Sequence, residues 1–296
     1  MPPKIVPSQL YHEIACHLGE GPFWWDESLW WVDIEAGELH RFDHRRNERI
    51  SHAFGCPPGV AVPADDGRIL VALGHEIGIF SHLTRELAMI APVQPGFPHN
   101  RFNDGKCDPR GRFVVGSLHQ DEIENAAELY LLEDGNYRRI LAPVTISNGL
   151  AWSADGKTLY YIDTPTLQVA AFEYDLDRGA LGEGRVAVTI PAEAGYPDGM
   201  CVDDCGNLWV AHWDGGAVRC WSPEDGHCLA MVDVPCSRPT SCCFGGPDRD
   251  LLFITTARNG LTEQELATQP LAGSVFVARP EVTGPSPVAW KADAHF

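Results

Sequence analysis

Four short stretches of the chain carry residues that could do chemistry at nearly the same distance from a turn. Glu20 stands in LGEGP, six residues ahead of Asp26. Arg101 and Asn103 stand in NRFNDGK, seven and five ahead of Asp108. Asn148 stands in ISNGL, seven ahead of Asp155, and Asp198 in YPDGM, five ahead of Asp203. Glycine follows Glu20, Asn148 and Asp198, and lets neighbouring backbone approach each side chain. Two carboxylates and two amides brought together would repel or go unsatisfied unless a cation joined them. Donors that are all oxygen suit a hard or borderline divalent ion. Each stretch taken alone reads as a turn. The shared phase is what points to a site, and a fifth stretch at that phase, CPPGV with Pro58 and Gly59, supplies no charged or amide group.

The elements that must position these residues form a repeat. A turn-forming Asp/Gly cluster between two apolar runs recurs as WWDESLWWVDI, PADDGRILVAL, DPRGRFVVGSL, SADGKTLYYID, VDDCGNLWVAH and GGPDRDLLFITT. Asp26, Asp65, Asp108, Asp155, Asp203 and Asp248 mark the six copies at intervals of 39 to 48 residues. These aspartates are expected to shape turns, not to catalyse. Each copy reads as a hairpin. A third alternating run follows it (GELHRFD, IGIFSH, AELYLLE, VAAFEYD, GAVRCWSP, GSVFVARP), and the linking segments can supply a fourth strand. Six strand-only units of this length predict an all-β fold, a six-bladed β-propeller with mostly four-stranded antiparallel blades. With no low-complexity linker to cut the chain, residues 1–296 are expected to form one domain. The one short helical candidate is LTEQELATQ from Leu261, with Thr262 as N-cap and Glu265 three residues on. In a closed ring, equal phase means convergence at the channel mouth.

Composition narrows the partners. The 296 residues carry 22 Lys+Arg against 41 Asp+Glu, a formal charge of −19. That balance argues against nucleic acid and against acidic lipid. No stretch approaches 18 consecutive apolar residues, and the N-terminal segment lacks the apolar core of a signal peptide, so a cytoplasmic protein is expected. No coiled-coil or swapping segment appears, and a monomer is the expectation. The ten cysteines form no paired zinc array and are expected to be free, mostly buried thiols. Cys242-Cys243 is a vicinal pair whose redox state the sequence leaves open.

At these residues the chain resembles the gluconolactonase / senescence marker protein / regucalcin family. The matching pieces are LGEGPFWWDESLWWVDI, RFNDGKCDPRGRFVVGS, SNGLAWSADGKTLYYIDT, YPDGMCVDDCGNLWVAHW and CFGGPDRDLLFITTAR, in order along roughly the whole chain. The resemblance implies one divalent cation at the channel mouth, with ligands Glu20, Asn148 and Asp198. Calcium, zinc, manganese, magnesium and ferrous iron all accept Glu/Asn/Asp oxygens. It implies that Asn103 lies near the metal, as a ligand or substrate contact, and that Arg101 holds a sugar lactone through its oxygens. The family's acidic residue after the third unit's strand falls on Asp121, flanked by Gln120 and Glu122, where GSLHQDEIEN departs from the family pattern. His119 and His212-Trp213 are candidates for the mouth, as ends of inner strands.

The implied reaction opens an aldonolactone, of a pentose or a hexose, to its aldonic acid. The cation would polarise the carbonyl, Arg101 and Asn103 would orient the substrate, and Asp198 would take a proton from the attacking water. Whether Asp198 or the cation itself activates that water stays open. No G-x-S-x-G motif signals a serine nucleophile. The main rivals are a calcium-binding protein and a hydrolase of other esters or phosphotriesters on the same propeller. A pure interaction propeller is a further rival, but it would not need Glu20, Asn148 and Asp198 to converge.

Overall fold

A computed structural model of the chain describes residues 2–92, 99–133 and 135–292. The fold is a six-bladed β-propeller, as the repeat predicts. A strand β1 (Lys4–His12) precedes the ring. Blade 1 is β2 (Gly19–Trp25), β3 (Ser28–Asp33), β4 (Glu38–Asp43) and β5 (Glu48–Ala53). Blade 2 is β6 (Pro58–Pro63), β7 (Ile69–Leu73), β8 (Glu76–Phe80) and β9 (Leu87–Pro92). Blade 3 is β10 (Asn100–Cys107), β11 (Phe113–His119), β12 (Ala127–Glu133) and β13 (Asn136–Val144). Blade 4 is β14 (Ser147–Trp152), β15 (Thr158–Asp163), β16 (Gln168–Asp175) and β17 (Ala180–Thr189). Blade 5 is β18 (Tyr196–Val202), β19 (Leu208–Trp213), β20 (Ala217–Trp221) and β21 (Cys228–Asp233). Blade 6 has β22 (Pro239–Gly245), β23 (Leu251–Thr256) and β24 (Val275–Ala278).

The linker that supplies a fourth strand in blades 1 to 5 has no counterpart in blade 6. There β1 takes the place: Ser8–His12 pair antiparallel with β24, while Lys4–Pro7 pair parallel with β21 of blade 5. The beginning of the described chain thus closes the ring. A short helix α1 (Glu263–Thr268) lies between β23 and β24, with the expected Thr262/Glu265 capping box.

Burial explains the strand sequences. β3, β6 and β14 are buried at every position, whereas the outermost strand β5 is exposed at all but one. Inner strands covered on both faces by neighbouring blades become near-continuous apolar runs such as SLWWVD. The core is therefore a set of layers between blades. Leu29, Trp31, Phe42, Phe253 and Val275 fill one between blades 1 and 6. The turn aspartates hold hairpins as expected. Buried Asp108 accepts from the backbone N–H groups of Arg110 and Arg112 and from the hydroxyl of Tyr174, and pairs with the Arg112 guanidinium at 2.6 Å. All ten cysteines are free thiols, six of them buried. No helix among the described residues is long and apolar enough to cross a membrane.

Candidate functional site

One local device recurs at the same level of every inner strand. Each strand slips register by one residue against its partner: between Glu20 and Phe23, Pro58 and Val60, Phe102 and Gly105, Asn148 and Leu150, Pro197 and Met200, and Pro239 and Ser241. A bulge leaves a residue unpaired and re-aims its side chain. Glu20, Asn103, Asn148 and Asp198 all lie in or beside these bulges. The glycines there serve close approach. A Cβ on Gly59 would sit 2.4 Å from the Phe102 carbonyl oxygen, and one on Gly149 would sit 2.8 Å from that of Asp198.

The four side chains keep between 5% and 8% of their surface, so the site is nearly but not fully sealed. A hydrogen-bonded chain runs through it from blade 3 to blade 5. Arg101 Nη1 donates to Asn103 Oδ1 at 2.8 Å. Asn103 Nδ2 donates to Asn148 Oδ1 and to the Ser147 carbonyl, both at 2.9 Å. Asn148 Nδ2 donates to Thr164 Oγ1 at 2.8 Å, and that hydroxyl donates to the Pro197 carbonyl, next to Asp198. The network fixes which way each amide faces and leaves Asn148 Oδ1 with a second lone pair. Asn103 spends both amide hydrogens inside the protein. Arg101 also donates from Nη1 to the Phe102 carbonyl, while its Nε and Nη2 have no acceptor among the described residues.

A third carboxylate joins the ring. Asp104, hidden in sequence within an Asn-Asp-Gly turn pattern, is buried here, and the Gly105 N–H donates to it at 2.7 Å. Burial, then the charge of Asp104, pushes Glu20 up to about 8, with the Gly21 N–H and Arg101 working in the other direction. Asp198 is pushed well above the usual carboxylate range by burial, then by Glu20 and Asp104. Burial raises Asp104 as well, against the nearby Lys106. Arg101 is lowered by burial and supported by Glu20, Glu35, Glu122 and Asp198. The donor set is thus rich in oxygen and negative charge with little cationic relief, which fits a hard divalent ion.

Other expected residues sit differently. Glu35, Asp121 and Glu122 are all exposed; the charges of Glu35 and Glu122 act on Arg101, whereas Asp121 accompanies His119, whose Nδ1 accepts from the Asp121 N–H at 3.1 Å. His119 is partly buried against His99, with ring centroids 5.7 Å apart. His212 does not line the mouth: it is fully buried, with Nδ1 donating to the Ala194 carbonyl and Nε2 accepting from the Trp221 indole. Burial pushes it down to about 3. On the turn side of the bulges the channel holds a cavity of about 330 Å³, lined by Val60, Ala151, Cys242 and Phe244 and by Pro285 to Val288. Asp104 and Lys106 reach it; Glu20, Asn103, Asn148 and Asp198 do not.

The sequence pattern of the SMP-30/Gluconolactonase/LRE-like region matches residues 18–258, which span all six inner strands. The chain belongs to this family. Regucalcin of Danio rerio is 38% identical over 272 residues, 90% of each chain. Among solved structures, a calcium-binding protein, regucalcin, from Agrobacterium tumefaciens superposes with a TM-score of 0.94 at 27% identity, covering 98% of this chain and all of that one. A luciferin-regenerating enzyme superposes at 0.90 and 28% identity, covering 96% of this chain and all of that one. Members of this propeller family thus include an enzyme and a calcium-binding protein, and the family name takes in gluconolactonase.

Proposed function

We propose that the polar ring binds one divalent cation through Glu20, Asn148 and Asp198, and that the same mouth opens a sugar lactone to its aldonic acid. One observation carries the cation: Glu20, Asp104 and Asp198 are all buried, and beyond burial the Asp104 charge raises the proton affinity of Glu20, and Glu20 and Asp104 that of Asp198, with no histidine or thiol among them. When bound, a divalent ion supplies charge compensation and Lewis-acid polarisation of an ester carbonyl. The protein's own groups then have distinct tasks. The unspent Nε and Nη2 donors of Arg101 bind substrate oxygens and orient the ring. Asn103 acts as a positioning residue, since its hydrogens already hold Asn148 and its oxygen already holds Arg101. Asp198 accepts a proton from the attacking water. Glu20, then Glu35 and Glu122, support the charge of Arg101, and Glu122 fits the acidic substrate-side role better than Asp121.

The calcium-binding relative favours a second reading, in which the ring binds its cation without turning over a lactone or serves other esters or phosphotriesters. An indicator assay separates the two. EDTA-stripped protein is offered pentono- and hexonolactones with one cation at a time, and spontaneous opening is subtracted. Turnover that needs the cation and disappears in Asp198→Ala supports the lactonase. Tight cation binding with no turnover on any lactone would leave the binding reading standing.

A further inference from the structure

A second cluster lies outside the ring, at the seam where the propeller closes. Cys16 belongs to the connection between β1, the outer strand of blade 6, and β2, the inner strand of blade 1. Its N–H donates to the Gly273 carbonyl just before β24 at 3.1 Å. The Cys16 sulfur, an Asp33 carboxylate oxygen and a His40 ring nitrogen all lie within 4.8 Å of one another. All three residues are at most 3% exposed.

The same place in blade 4 shows what packing alone requires. Asp33 latches the entry to β2 by accepting from the N–H groups of His17, Leu18 and Ala36. Asp163 does the same for β14, accepting from Thr145 and Ile146. By strand register, Val144 stands in blade 4 where Cys16 stands in blade 1, and Ala170 stands where His40 stands. The latch therefore needs neither a thiol nor an imidazole, and burying both is costly unless they are partnered.

The cluster has the surroundings of a metal site. His40 Nδ1 lies 2.9 Å from Ser51 Oγ, which also accepts from Arg49 at 2.7 Å. Arg49 Nη1 also stands 3.3 Å from that Nδ1, and Nε2 faces Cys16 Sγ 3.9 Å away, where it would ligate a metal with Nδ1–H turned to Ser51. Glu38 Oε2 stands 3.6 Å from the same Nε2. The Trp31 indole N–H is buried with no hydrogen-bond acceptor among the described residues. Arg49 balances part of the negative charge that three anionic ligands would bring.

We infer that Cys16, Asp33 and His40 form a zinc site that clips the closing seam, with Glu38 within reach as fourth ligand. Thiolate, imidazole and carboxylate in a compact buried set select zinc over the hard ions suited to the ring. Binding replaces the Cys16 thiol proton, which passes to the buffer.

Cobalt(II) reads this site apart from the ring, because only a thiolate ligand gives a strong sulfur-to-cobalt absorption in the near ultraviolet. Metal-stripped, reduced protein is expected to show that band at one cobalt per chain, displaced by zinc, and to keep it in Asp198→Asn. Cys16→Val with His40→Ala, which installs the residues of blade 4, should abolish the band and, in the Asp198→Asn background where the ring no longer takes a cation, the rise in melting temperature that zinc gives. His40→Gln, which retains the sulfur, should bind zinc at least about tenfold more weakly. Absence of the band from the wild type, an unchanged band in the double variant, or unchanged zinc affinity in His40→Gln would overturn the site.

Discussion

Blades 2 and 6 carry the same one-residue bulge as blades 1, 3, 4 and 5, yet they put different chemistry into it. In blade 2 the bulge holds Pro58 and Gly59, packed so closely on blade 3 that a Cβ would meet the Phe102 carbonyl. In blade 6 it holds Thr240, whose hydroxyl donates to the Gly19 carbonyl. In the other four it holds Glu20, the Asn103-Asp104 pair, Asn148 and Asp198. The fold thus repeats an aiming device six times, and side chains at four positions decide what is aimed. Two blades seal and brace the ring while four supply oxygen donors.

Substitutions can break that division. Asp198→Asn or Glu20→Gln removes a charged donor and should lower cation affinity by more than about 100-fold, measured by equilibrium dialysis. Asn103→Ala leaves the proposed ligands in place but frees Asn148 and Arg101, and should cost about 10- to 100-fold in cation affinity. Gly59→Ala tests the sealing blade. It should lower stability by about 1–3 kcal/mol in urea unfolding, and the cation affinity of the protein that remains folded should stay unchanged. Thr240→Val removes two hydrogen bonds, to the Gly19 carbonyl and to Thr255 Oγ1, and should cost about 1–3 kcal/mol of stability with no change in cation affinity.

Blade 5 sharpens the comparison at a second level. Where blades 1 and 4 use Asp33 and Asp163 at the end of the second strand, blade 5 has His212 at the equivalent register. Its pKa is pushed down to about 3 by burial. A histidine depressed in the folded state contributes stability that is complete above the unfolded value near 6.5 and is lost as pH falls toward 3. Its share of the slope is at most about 1.4 kcal/mol per pH unit. Urea unfolding at pH 7, 6 and 5 should show a shallower acid loss in His212→Gln than in the wild type.

Much of this arrangement was legible in the sequence because it is local. The turn aspartates, the apolar runs and the four polar stretches each lie within about ten residues, and the repeat supplies their convergence. What stayed hidden depends on register or on distant closure. Asp104 reads as part of a turn, and only the bulge between Phe102 and Gly105 turns it into a third buried carboxylate. Asp121 and Glu122 are adjacent in sequence, but Glu122 adopts φ 51°, a left-handed kink that spacing cannot reveal, and its charge is the one near Arg101. The pairing of β1 with β24 joins residues more than 260 apart, beyond any local pattern. The same closure hides the meeting of Cys16 with His40, and His212 occupies the latch position, bonded to the Ala194 carbonyl, where its strand-end position suggested the mouth.

The most direct test of the ring is a manganese(II) titration of metal-stripped protein followed by electron paramagnetic resonance, since manganese prefers oxygen donors and counts one kind of site. The expected result is one bound ion per chain in the wild type and in the Cys16→Val/His40→Ala variant, and none at the same concentrations in folded Asp198→Asn or Glu20→Gln. Retention of that ion in both carboxylate variants would contradict the convergence of Glu20, Asn148 and Asp198 on a single cation.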